Sequence, residues 1–139
     1  MSDRSRTGFV AGVLGALLLA ALMYSMIPVG LSSGPPGFVG NYRATLGWGG
    51  PFFDHLLGTL LFAVSGGIWG LIYGVLVRSS TLLKGMAYAF LPTLWFWIVM
   101  AWALGNPLFG GFSVEGLLLP ILFNVGIWGG FLGWYCSAR

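Results

Sequence analysis

Between the Asp54–His55 pair and Arg78 lie 22 consecutive residues without a formal charge, LLGTLLFAVSGGIWGLIYGVLV. At about 1.5 Å per residue a helix of that length spans roughly 33 Å, enough to cross the hydrocarbon core of a bilayer. Within the run, Gly66, Gly70 and Gly74 recur at every fourth position and so share one helical face. A glycine face lets another backbone approach closely. Helices associate in lipid this way, because hydrophobicity gives no drive between them there. Phe62, Trp69 and Tyr73 add large contact surfaces to the same segment. This stretch reads as a transmembrane helix built for packing, with the rest of the chain arranged around it.

Composition supports that environment. The chain has 139 residues, 58% of them hydrophobic and 6% charged, with a mean hydropathy of +0.91. A soluble domain carries about 25% charged residues. Four spans and their connections use the whole length, which predicts a single transmembrane domain. A net charge of +3 raises the question of nucleic acid. The six basic residues form no patch along the sequence, and no nucleic-acid partner is expected. A lone Cys136 leaves no internal disulfide and no multi-cysteine metal motif.

In chain order, a polar head with Arg4 and Arg6 precedes an apolar run over residues 8–27, with small residues at Gly8, Gly12, Ala16 and Ala20. The run is longer than the core of a signal peptide, and no small-x-small cleavage site follows cleanly. A retained span acting as a signal anchor is expected. Residues 28–53 read as a long loop, broken by Pro28, Pro35, Pro36 and Pro51 and by glycines. Its aromatic content, including Phe38, Tyr42 and Trp48, gives it an interfacial character. It has no GxxxxGK[ST], so a phosphate-binding loop is excluded. The second span covers 55–77, and a short basic-flanked connection, Arg78 to Lys84, leads to a third span over 85–104. Pro92 in that span frees the Tyr88 carbonyl and predicts a kink. A Gly/Pro turn ends at Glu115, and the fourth span covers 116–136, with Pro120 expected in its first turn.

Arg4, Arg6, Arg78, Lys84 and Arg139 fall on one side of this arrangement and Arg43 on the other. The positive-inside rule then predicts cytoplasmic termini and an outward-facing long loop, in a bacterial cytoplasmic membrane. The chain also echoes itself. Gly67-Ile68-Trp69-Gly70 with Gly74 matches Gly126-Ile127-Trp128-Gly129 with Gly133. A shift of 77 aligns Gly8, Leu14, Leu17 and Met23 with Gly85, Leu91, Leu94 and Met100. The expected fold is an all-α integral membrane four-helix bundle made of two parallel helical-hairpin repeats. Gly66, Gly70, Gly74, Gly126, Gly129 and Gly133 are its expected packing positions.

Three features carry a family resemblance: Gly47-Trp48 in the loop, His55-Leu56-Leu57-Gly58-Thr59 opening the second helix, and Gly70-Leu71-Ile72-Tyr73-Gly74 closing it. With a small-residue-rich first helix, they make the chain resemble a domain-of-unknown-function family of small four-helix bacterial integral membrane proteins. The resemblance spans most of the chain and implies a fold rather than an activity. Where the family pattern has a histidine in the fourth helix, this chain has Asn124.

Few residues offer chemistry. His55, the single histidine, is the candidate cofactor-binding residue, able to fill one axial position of a haem or chlorophyll. The simpler reading is an interfacial His-Asp pair at a helix start, where Asp54 suits the positive end of the helix dipole. No charged residue lies inside a predicted span, which argues against proton-coupled exchange and voltage sensing. Ser65, Thr93 and Asn124 fall near mid-span and read either as a polar site for a small ligand or as interhelical hydrogen-bonding groups. Trp48 and Trp134 fit interfacial belts, whereas Trp69, Trp95, Trp97 and Trp128 sit deeper. No nucleophile-base pair and no paired carboxylates assemble, so no enzyme is expected. The expected role is a non-catalytic accessory subunit contacting other integral membrane subunits and lipids. Respiratory or photosynthetic electron-transfer complexes are the host class by analogy. No cofactor of its own is expected. The alternatives are a protein binding a lipid, quinone or pigment, and a small oligomeric channel or facilitator.

Overall fold

A computed structural model describes residues 1–30 and 51–139, so the greater part of the expected loop, with Arg43, Gly47 and Trp48, lies outside the described residues. Four helices account for most of the rest: α1 (Asp3–Met26), α2 (Pro51–Leu76), α3 (Leu82–Ala103) and α4 (Val114–Ser137). Each is long and apolar enough to cross a membrane, with best-window mean hydropathies between 1.5 and 2.2. Large apolar side chains such as Leu18, Leu60, Ile68, Leu91 and Leu122 remain on the outer surface. That make-up is compatible with a multi-pass transmembrane bundle.

The helices begin before the apolar runs that mark them. The Ser2 side chain caps α1 by accepting from the Ser5 N–H at 3.2 Å, and Asp3 occupies its first turn, so the helix starts five residues ahead of Gly8. Thr81 caps α3 through the Lys84 N–H at 3.2 Å, and Ser113 caps α4 through the Gly116 N–H at 2.9 Å. Helix α2 opens on Pro51, whose missing N–H is no loss at a first position, so residues 51–53 are helix rather than loop. Hydropathy locates the apolar core of a span, but caps locate the helix end, and the two differ by the polar turn that projects beyond the apolar core.

The two later helices are irregular where proline removes a donor. Helix α3 breaks at Ala89, one residue after Tyr88, to whose carbonyl Pro92 can donate no N–H, and then passes through a π-helical turn at Phe96–Met100. Pro120 is not in the first turn of α4. It is the seventh residue from Val114, in the second turn, and a π-helical stretch, Ile121–Gly129, follows it. Its ring leaves the Gly116 carbonyl without an intrahelical donor, and the Trp97 indole N–H of α3 donates to that oxygen at 3.1 Å. The turn between these helices contains four successive residues with positive φ, Phe109 to Phe112.

Glycine sets the closest approaches. A methyl group added at Gly8 would meet the Gly70 carbonyl and the Gly74 nitrogen, and one at Gly74 would meet Arg4 and Ser5 backbone. In the other pair, a methyl at Gly85 would meet the Gly129 carbonyl and the Gly133 nitrogen, and one at Gly133 would meet Thr81 and Leu82 backbone. Shifting the first set by 77 on one helix and 59 on the other produces the second set. Helices α1 and α4 meet differently: Gly15 faces the Trp128 and Phe131 rings, and the Trp128 indole donates to the Gly12 carbonyl at 3.1 Å. Aromatic rings fill the α2–α3 side, with Tyr73 and Tyr88 centroids 5.0 Å apart and Trp69 and Trp95 centroids 6.2 Å apart. The core gathers Ala11, Ala16, Leu19, Tyr73, Phe123, Trp128 and Leu132.

Candidate functional site

At the end of the bundle where α1 finishes and α2 begins, the Tyr24 hydroxyl meets three groups of α2. It lies 2.7 Å from the Thr59 Oγ1, 3.3 Å from the His55 Nδ1 and 3.3 Å from the His55 carbonyl oxygen. One hydroxyl hydrogen serves one acceptor at a time, and the short Thr59 contact is the strongest of the three by distance. The imidazole tilts against the Tyr24 ring with centroids 5.5 Å apart and stays exposed. The arrangement orients His55 through Nδ1. Chemically it offers one histidine nitrogen at the bundle edge. Among the described residues no group of three or more His, Cys, Asp or Glu side chains is arranged to hold a metal ion. Thr59 stood in the sequence only as part of the motif opening the second helix, and Tyr24 not at all, because nothing along the chain pairs the last turn of α1 with the start of α2. The antiparallel hairpin alone brings them together.

The three mid-span polar residues differ in exposure. Ser65 is exposed on the outer surface of α2, Asn124 is half-buried in the π-helical stretch of α4, and Thr93 is fully buried. The Thr93 hydroxyl donates to the Ala89 carbonyl of its own helix at 2.8 Å, a one-turn back-bond that occupies its proton. The three residues thus differ in burial, and Thr93 takes the hydrogen-bonding alternative by bonding to its own helix backbone. Helical phase explains the outward position of Ser65, which sits one residue off the Gly66/Gly70 face that packs on α1.

The packing glycines divide as well. Gly66, Gly70, Gly74, Gly129 and Gly133 all lie against another helix, but beside Gly126 the nearest group is the Ile121 carbonyl of its own helix, at 4.0 Å. The π-helical winding through Ile121–Gly129 changes the residue count per turn and moves Gly126 off the contact face. Gly67, adjacent to the expected stripe, instead packs against Phe9 and Val13.

Partly buried hydrogen bonds stitch elements together. The Tyr88 hydroxyl of α3 donates to the Trp69 carbonyl of α2 at 2.7 Å. The Tyr73 hydroxyl of α2 lies 2.6 Å from the Ser80 Oγ, which donates to the Gly133 carbonyl of α4 at 2.8 Å. Each of these bonds joins two elements while giving a partly buried hydroxyl a partner.

Among the described residues, the basic side chains, dispersed in the sequence, are brought to one end. Arg4 packs beside Gly74, Thr81 beside Gly133, and Arg6 and Arg139 share a cavity, so Arg4, Arg6, Arg78, Lys84 and Arg139 surround the same end of the bundle. The Lys84 ammonium donates to the Ser79 carbonyl and hydroxyl at 2.8 Å each. The guanidinium of Arg139 lies over the Tyr135 ring, 4.9 Å from its centroid.

Comparison of the chain with protein-family models, with curated proteins and with solved structures gave no match in any of the three.

Proposed function

We propose that this chain is a non-catalytic accessory subunit of a larger membrane complex, lying in a bacterial cytoplasmic membrane with both ends of the described chain on the cytoplasmic side. The observation that carries the reading is the use of its interior polar groups. Trp97, Trp128, Tyr73 and Tyr88 direct their N–H or O–H groups to another helix or to a connection, and Thr93 bonds to its own backbone. An interior committed to cross-links suits a rigid packing module. The gathered cations support the orientation. The matching contacts at offsets of 77 and 59 support a duplicated, parallel hairpin. The host class remains an electron-transfer assembly, by analogy with its many small, charge-poor helical subunits.

Purification from native membranes in mild detergent tests this reading, with His55→Gln as the paired variant. A stoichiometric larger assembly that keeps its visible absorption when His55 becomes Gln is the expected result. A closed homo-oligomer would replace the reading with a channel or facilitator. A pigment band that is lost with His55→Gln while the assembly stays intact would make the chain a cofactor carrier, because axial ligation sets such spectra.

A further inference from the structure

Helices α1 and α4 are antiparallel neighbours, and at their cationic end they leave an open groove of about 250 Å³ lined by Arg6, Thr7, Val10, Tyr135 and Arg139. Its two walls have the same order. Arg6, Val10 and Leu14 follow one another at four-residue spacing along α1; Arg139, two residues past the end of α4, Tyr135 and Phe131 have the same spacing, with Leu14 and Phe131 lying beyond the cavity lining itself. Each wall begins with a guanidinium and continues into apolar or aromatic surface. Val10 and Leu14 are 38% and 41% exposed. Among the described residues neither arginine forms an ion pair with an acidic side chain, and Arg139 is held over the Tyr135 ring. Of the three acidic residues, Asp54 and Glu115 belong to the opposite end of the bundle and Asp3 does not line the groove.

We infer that this groove binds one anionic phospholipid, its phosphate between Arg6 and Arg139 and an acyl chain along Val10, Leu14 and Phe131. The guanidinium fork matches phosphate oxygens in pairs, and the Thr7 hydroxyl and Tyr135 phenol add hydrogen-bonding groups at the same rim. A free phosphate would use only the head of the groove. The apolar continuation on both walls favours a lipid, and basic pockets between helices at a cytoplasmic surface suit anionic headgroups. The inference rests on the proposed membrane placement and orientation but not on the accessory role.

The test uses full-length protein in nanodiscs or detergent, with phosphatidylglycerol, phosphatidylcholine and inorganic phosphate as probes. Native mass spectrometry counts retained lipid, and thermal unfolding measures protection. Wild type should retain phosphatidylglycerol in preference to phosphatidylcholine. Arg6→Gln and Arg139→Gln should each weaken that preference roughly fivefold, and together about twenty-five-fold. Lys84→Gln, at the same end but outside the groove, should leave it unchanged. Val10→Trp keeps both arginines and fills the groove, and should abolish retention even if the double arginine variant proves too unstable to purify. Equal retention of the two lipids, or full phosphatidylglycerol retention by Val10→Trp, would overturn the inference. So would thermal protection by inorganic phosphate equal to that by the lipid, which would make the site one for a free anion.

Discussion

Trp97 and Pro120 form a matched pair on different helices. Proline at position 120 withholds the donor that the Gly116 carbonyl would receive within α4, and the Trp97 indole supplies one from α3 at 3.1 Å. The partnership predicts a coupling that neither residue shows alone. Trp97→Phe keeps a ring but removes the N–H, and should destabilise the bundle by roughly 1 kcal/mol, within the range of single hydrogen bonds in membranes. Pro120→Ala restores an intrahelical N–H, so the same Trp97→Phe change should cost less in that background. Reversible unfolding in mixed micelles measures all corners of the cycle. Equal costs in both backgrounds would mean that the indole stabilises by packing alone. The Tyr24 cluster follows the same logic of local repair, one hydroxyl tying the exposed His55 and Thr59 to the end of α1.

At the scale of elements, close approach rather than side-chain interdigitation joins α1 to α2 and α3 to α4. In lipid this gain comes from dispersion contacts between backbones, and only glycine permits it at the crossing. Gly70→Leu would drive a side chain into the backbone of Gly8 and Gly12, and Gly129→Leu into Gly85 and Met86. Each should cost roughly 3 kcal/mol or more, at the upper end of overpacking penalties. The two losses should be similar, since the contacts correspond. Gly126→Ala is the contrasting case. With only the Ile121 carbonyl nearby, at 4.0 Å, it should be neutral or stabilising by up to about 1 kcal/mol through helix propensity. Thermal unfolding of the three variants in one detergent checks this, and equal melting for Gly70→Leu and wild type would remove α1–α2 contact as a source of stability.

At the scale of the molecule, the two ends differ in charge among the described residues: five cations are gathered where Arg4, Thr81 and Arg139 lie, while His55, Asp54 and Glu115 belong to the other end. With Cys136 replaced by serine, Ser79→Cys should be protected from an impermeant thiol reagent in intact cells, and Asn106→Cys should react. The reverse pattern would invert the topology. Much of this architecture was legible in the chain itself. Uncharged stretches of helical length and proline-glycine breaks determine four helices and their order, because in lipid the backbone must satisfy its own hydrogen bonds. The four-residue spacing of Gly66, Gly70 and Gly74 likewise marks a contact face, since helical phase is a local property. Tertiary structure decided what meets that face and what falls beside it. It turned Ser65 outward, displaced Gly126 through π-helical winding, set Trp97 on the Gly116 carbonyl, and brought Arg6 to Arg139 from opposite ends of the sequence. Those outcomes depend on which helices become neighbours and at what rotation. Periodicity within a single helix carries no information about either, because each helix defines its own face and only packing relates one face to another.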